Sequence, residues 1–153
     1  MISLGIRCSN SDFTYAVLQG TKNKPHMLAT NTVAMPAGFR QPQALDWLYQ
    51  EIERLIAAHG VEIIVIKRSE SRRRNGARDT RLEFEGVVAL AGHRSGQVPS
   101  FKKVSSTIAK DLGLKGYARY LRTRLDTSPL EGFDGYSSKS QEAVLCAWSE
   151  LEK

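Results

Sequence analysis

The sequence predicts an α/β fold: a mixed five-stranded sheet, with an antiparallel three-strand meander plus parallel strands, flanked by helices. Three observations predict it. Residues 2 to 35 contain three extended segments separated by turn residues. From Gln43 the apolar residues recur at helical steps. Val61 to Ile66 (VEIIVI) is then almost continuously apolar, as a strand covered on both faces should be.

Taken in order, Ile2 to Cys8 is a compact apolar run and reads as a buried first strand. Asn10-Ser11-Asp12 is a turn, because these short polar side chains bond their own backbone. Phe13 to Leu18 alternates Phe13, Tyr15 and Val17 against Thr14, Ala16 and Leu18, the period of a strand. Gly20 to Pro25 (GTKNKP) connects it to a third extended segment, Met27 to Met35, and three strands at this spacing make an antiparallel meander. Pro36 to Pro42 interrupts the pattern. Leu45, Leu48, Ile52, Leu55 and Ile56 then mark an amphipathic helix that His59-Gly60 ends.

After the VEIIVI strand, Arg68 to Gly76 reads as a polar loop. Arg78 to Ala91 returns to helical spacing through Leu82, Val87, Leu90 and Ala91. Gln97 to Val104 is a short extended piece and Ser106 to Leu112 a short helix. Residues 113 to 136 carry no clear period, with Tyr117 to Leu125 as their helical stretch. Ser138 to Leu151 closes the chain as a helix, opened by a capping box of Ser138 with Gln141 and burying Val144, Ala147, Trp148 and Leu151. A meander followed by alternating helix and strand implies a mixed sheet between helices. With no internal repeat, residues 1–153 are expected to form a single domain.

The composition, 41% hydrophobic and 25% charged, is that of a globular chain. No run approaches the roughly 18 to 20 apolar residues of a membrane span, and MISLGIRCSN lacks the features of a signal peptide, so no membrane partner is expected. Cys8 and Cys146 both lie in apolar segments, which suits reduced core thiols and a cytoplasmic location. The net charge of +6 is unevenly spread. Residues 67–81 hold seven basic residues against Glu70 and Asp79, and residues 102–124 hold seven against Asp111 alone. The two windows thus carry +14 and −3, and the rest of the chain −5. Charge segregated in this way suits a polyanion or an acidic protein partner.

The order of elements and four segments together resemble the RNase H-like fold, specifically its RuvC-like, Holliday-junction resolvase-like branch. "ISLGIR" resembles that family's first strand, hydrophobic-Gly-Ile-Asp, and "VEIIVIKRSES" its fourth strand, which ends at a glutamate. "RLEFEGVVALAG" is similar to the helix that follows, and "SQEAVLCAW" to the closing helix with its early acidic residue. The resemblance implies phosphodiester hydrolysis by two divalent cations about 4 Å apart. Mg²⁺ takes hard oxygen ligands, so carboxylates are needed on the first strand, the fourth strand and the last helix.

The carboxylates do not line up. Arg7 stands at the first position, where a guanidinium cannot ligate a cation and would repel one. Lys67 stands at the second, with Glu70 three residues on; only Glu142 matches. Arg7 and Lys67 are therefore expected to mark a degenerate site. Glu142, Glu70 and Asp12 remain as candidate catalytic carboxylates, and no metal is expected unless a rearranged site uses Mg²⁺. An arginine in a buried strand needs a partner, and Glu142 or Glu70 is the natural one. Glu142 also reads as a first-turn helix acid favoured by the macrodipole. Glu83 and Glu85, straddling Phe84, are expected to face solvent. His26, His59 and His93 are scattered, and nothing places them in one site.

The run Ser69 to Arg78 (SESRRRNGAR) is the main candidate for phosphate contact, since guanidinium donors fork around phosphate oxygens. The expected nucleic-acid-binding residues are Lys67, Arg68, Arg72, Arg73, Arg74, Arg78, Lys102 and Lys103. Three functions follow. One is a catalytically degenerate domain that binds DNA or RNA or scaffolds a nucleic-acid-processing assembly. Another is an active divalent-metal-dependent nuclease, and the third a protein-interaction subunit with a basic face. The family resemblance adds a homodimer to the expected assemblies.

Overall fold

A computed structural model describes residues 1–70 and 76–153, less the side chains of residues 77 and 78. The expected contacts Arg72, Arg73 and Arg74 and the side chain of Arg78 lie outside the described residues. Strands β1 (Ile2–Cys8), β2 (Asp12–Gly20) and β3 (Pro25–Ala34) form the meander. Next come α1 (Gln41–His59), β4 (Ile63–Lys67), α2 (Gly76–Arg94) and β5 (Ser100–Lys103). Helices α3 (Ser105–Asp111), α4 (Tyr120–Thr123) and α5 (Ser138–Ser149) complete the chain, with one 3₁₀ turn at Phe133–Gly135.

The five strands form one mixed sheet in the order β3-β2-β1-β4-β5. β1 pairs antiparallel with β2 and parallel with β4; β4 pairs parallel with β5. The chain therefore leaves its hairpins at β3, crosses by α1 to the far side of β1, and continues outward through α2 to β5. The pleat divides the core into two layers. Leu4, Ile6, Cys8, Phe13, Val17, Ile64 and Ile66 face α1 and α2, meeting Leu48, Ile52, Phe84 and Val88. Ala16, Leu18 and Val65 face the other way, toward Ala143, Val144, Ala147 and Trp148 of α5. β1 and β4 lie centrally and are covered on both faces; β4 is apolar on both as far as Ile66, whereas the α5-facing side of β1 carries Ser3, Gly5 and Arg7.

Helix α5 sits closest to the sheet at Gly5. A Cβ built on Gly5 would lie 1.9 Å from the Ala143 carbonyl oxygen and 2.7 Å from the Ala147 nitrogen. Small residues on both sides thus let helix and strand backbones touch. The far end of α5 holds the β2–β3 hairpin, with Trp148 Nε1 donating to the Lys22 carbonyl at 2.9 Å.

Several element ends differ from expectation. α1 begins at Gln41, with Pro42 in its first turn, where a missing N–H costs nothing. β5 begins only at Ser100, because Gly96 (φ 88°) and Gln97 (φ 59°) are left-handed and close α2 first. The cap of α5 is Ser137, whose hydroxyl accepts from the Ser140 N–H at 3.2 Å; Gln141 instead donates to the Phe133 carbonyl at 3.2 Å. The expected helix over 117–125 shrinks to the single turn of α4, in which only Tyr120 is buried. One buried anchor among closely spaced arginines is too little to hold a longer helix. Among the described residues, no helix is long and apolar enough to cross a membrane.

Candidate functional site

The carboxyl-terminal ends of β1, β4 and β5 meet α5 on one face of the sheet. Side chains alternate along each strand, so Gly5 and Arg7, Val65 and Lys67, and Lys103 all point to the α5 side. Ile6 pairs with Ile66 and Lys67 with Lys103, which brings Arg7, Lys67 and Lys103 into a row across three neighbouring strands. Lys67 and Lys103 are only 4% and 6% exposed, and Arg7 is partly buried. Three cations held this close in a poorly solvated place require counter-charges.

Each has one. Arg7 Nε donates to Glu142 Oε2 at 2.8 Å. Lys67 Nζ donates to Glu70 and, at 3.1 Å, to the Arg68 carbonyl. Lys103 Nζ donates to Asp111 at 2.6 Å and to Ser149 Oγ at 3.1 Å, and is ion-paired with Glu150. A fourth pair closes the β1–β2 turn: Lys139, three residues before Glu142 on α5, donates to Asp12 Oδ2 at 2.9 Å.

These contacts set the acidities. Burial works to raise the Asp12 carboxyl, but hydrogen bonds from Lys139 and Ser9 outweigh it and leave the group below its ordinary value. Burial also opposes ionisation of Glu70, yet hydrogen bonds from Lys67 and the Ser105 hydroxyl, the latter at 2.8 Å, bring it below its ordinary value. The Cys8 and Cys146 thiols are both pushed up to about 12, chiefly by burial, so neither is a ready nucleophile.

The donor set does not fit a divalent cation. Glu142, the one carboxylate matching the expected ligand position, is occupied by a guanidinium. Among the described residues, no three His, Cys, Asp or Glu side chains gather to hold an ion. Glu142 also falls in the second turn of α5 rather than the first, so it faces Arg7 and is not a first-turn macrodipole acid.

Of the expected nucleic-acid contacts, Arg68 and Lys102 are exposed. Lys67 and Lys103 are not: the pleat turns both inward against α5, where carboxylates consume their donors. The expectation that Glu85 faces solvent is likewise overturned. Glu85 is 0% exposed, and among the described residues neither oxygen has a hydrogen-bond partner of ordinary geometry. Its nearest opposite charge is Arg81 Nε, at 4.0 Å. The signal was readable, because Glu85 shares a helical stripe with Arg81, Val88 and Gly92 at steps of four and three. Glu83, by contrast, is exposed on α2.

Burial raises the Glu85 carboxyl above its ordinary value, against the pull of Lys102, Arg81, the Ser69 backbone and Arg68. An acid whose folded-state pKa is raised binds its proton more tightly folded than unfolded. Its contribution to stability is therefore full below its unfolded value near 4.3 and falls as pH rises through the raised one. Glu85→Gln is expected to be more stable than wild type at pH 8 by about 1–2 kcal/mol, and equal to it near pH 4. Urea midpoints at the two pH values measure this; a variant with no advantage at pH 8 would refute it.

No protein-family model matches the sequence, and no curated protein is similar to it. Solved structures are. RuvC from Thermus thermophilus superposes with a TM-score of 0.77 at 16% identity, over 97% of this chain and 92% of that one. The same protein solved in complex with a Holliday junction substrate gives 0.73 at 16% identity, over 97% and 91%. The yeast mitochondrial Holliday junction resolvase gives 0.59 at 12% identity, over 96% and 77%. The chain has the RNase H-like fold in its RuvC-like form.

Proposed function

We propose that this chain is a catalytically degenerate RuvC-like domain that binds nucleic acid, alone or as part of a nucleic-acid-processing assembly. The observation that carries the reading is the row Arg7, Lys67 and Lys103. Arg7 and Lys67 are cations where metal-dependent phosphodiester hydrolysis would need carboxylates, Lys103 adds a third cation on the neighbouring strand end, and each is locked to an acid. Nucleic acid as the ligand class is supported by the shared fold with a protein solved on a Holliday junction, and by the segregated positive charge.

The test has two arms. With Mg²⁺ or Mn²⁺ the chain is expected to leave branched, single-stranded and duplex DNA and RNA uncut. Robust cleavage that disappears in Glu142→Ala would establish the nuclease alternative instead. DNA or RNA affinity is expected to fall steeply with salt. Replacing Arg72, Arg73 and Arg74 with alanine should flatten the log–log slope by roughly 0.9 per duplex phosphate contact removed. No binding at about 50 mM salt would leave the basic surface to an acidic protein.

A further inference from the structure

The positive charge of this chain is of two kinds. Arg7, Lys67 and Lys103 at the strand ends and Lys139 on α5 are each spent on a carboxylate. Between Leu112 and Leu125 there are four cations (Lys115, Arg119, Arg122 and Arg124) and no acid. None of the four forms an ion pair among the described residues. All four are exposed. Among the described residues, this segment therefore offers a partner an unpaired cluster of positive charge that the row beneath α5 does not.

Two tyrosines organise the same segment. The rings of Tyr117 and Tyr120 meet edge to face, with centroids 5.4 Å apart and planes at 77°. The Arg119 guanidinium lies 5.3 Å from one centroid and 5.2 Å from the other, and that of Arg124 lies 4.1 Å from Tyr120. Tyr120 is buried and anchors the group, whereas Tyr117 is 56% exposed, more than any other large apolar side chain among the described residues. The Tyr120 N–H donates to the Tyr117 carbonyl at 3.0 Å and that of Leu114 to the Ala109 carbonyl at 2.9 Å, tying the segment to α3. An aromatic ring is thus held at the surface among guanidinium groups whose donors are free for phosphate.

We propose that Tyr117, with Arg119 against its ring, is a stacking platform for an unpaired nucleobase, with Lys115, Arg122 and Arg124 contacting the adjoining phosphates. The inference rests on the nucleic-acid reading above and adds where the strand lies and in which form it is read. A duplex presents phosphates and base edges but hides its base faces; a single strand or an unpaired junction nucleotide offers a face to the ring. An acidic peptide would satisfy the arginines but gives Tyr117 nothing flat to stack on.

The test measures fluorescence anisotropy of the full chain with three probes of about 15 units: labelled oligo(dT), a duplex, and a strand of abasic sites. Tyr117→Ala is expected to weaken oligo(dT) binding roughly tenfold and to change the other two less than twofold, while Tyr117→Phe, which keeps the ring, binds as wild type. Equal losses on all three probes, no loss on oligo(dT), or a Phe variant as weak as the Ala variant would each overturn the platform. Wild type that binds duplex but not oligo(dT) would overturn it while sparing nucleic-acid binding. Wild type that binds none of the probes at low salt would overturn both.

Discussion

Gly5→Ala is expected to cost more than about 4 kcal/mol and to leave little folded protein at 25 °C. Gly5 lies at the centre of β1, the middle strand of the sheet, and α5 crosses directly above it. The added methyl would overlap the Ala143 carbonyl oxygen at 1.9 Å, and the obstacle is backbone on both sides, so no rotamer change relieves it. Helix α5 would have to lift, uncovering the layer of Ala143, Val144, Ala147 and Trp148 and separating Arg7 from Glu142. Gly86→Ala serves as the control. Gly86 is exposed within α2, and a Cβ there meets nothing within 4 Å. The same chemical change should there stabilise by about 0.5–1 kcal/mol through helix propensity. Circular dichroism against urea reads both, and a Gly5→Ala protein with an undiminished midpoint would refute the close packing of α5 on β1.

What the sequence discloses about this fold is what local chemistry controls. β4 is legible because a strand covered on both faces is apolar almost throughout, and β1 because Ile2, Leu4, Ile6 and Cys8 make up one apolar face. α1 is legible because one stripe of leucines and isoleucines recurs at helical steps. The capping serine of α5 lies one residue before the position the sequence predicts, since Ser137, Ser138 and Ser140 are equivalent in sequence and only backbone geometry selects among them. The candidate site was legible in part. An arginine in a buried strand needs an acid, and Glu142, 135 residues from Arg7, is one of two candidates that strand and helix order can bring near. The burial of Lys67 and Lys103 was not legible. Each is the last residue of its strand, and which face α5 would cover is a property of the assembled sheet, not of either segment. Glu85 stands between these cases: its helical stripe was present in the sequence, but a glutamate invites the assumption that it is solvated.

Lys102 and Lys103 look interchangeable in sequence, and they are expected to behave as opposites. Lys103→Ala should cost about 3 kcal/mol, because it removes the cation that joins Asp111 at the end of α3 to Ser149 and Glu150 at the end of α5. Asp111 and Glu150 keep partial access to water, which holds the loss below that of a fully buried triad. Lys103→Met, which retains the aliphatic stem against the core, should lose less than Lys103→Ala. The surface pair Arg54–Glu51 gives the scale for an exposed bridge: Arg54→Ala should stay within about 0.5 kcal/mol of wild type. Lys102→Ala should cost less than Lys103→Ala, because Lys102 is exposed on the other side of the pleat and forms no ion pair among the described residues. In nucleic-acid binding the order should reverse. Lys102→Ala should weaken affinity and flatten its salt dependence, while Lys103→Ala, measured per folded molecule, should leave both unchanged. Urea midpoints and salt-dependent anisotropy on the two variants decide this together. If folded Lys103→Ala lost affinity as Lys102→Ala does, its ammonium would have to leave the α5 pairs to reach phosphate, and the strand-end row would be part of the binding surface after all.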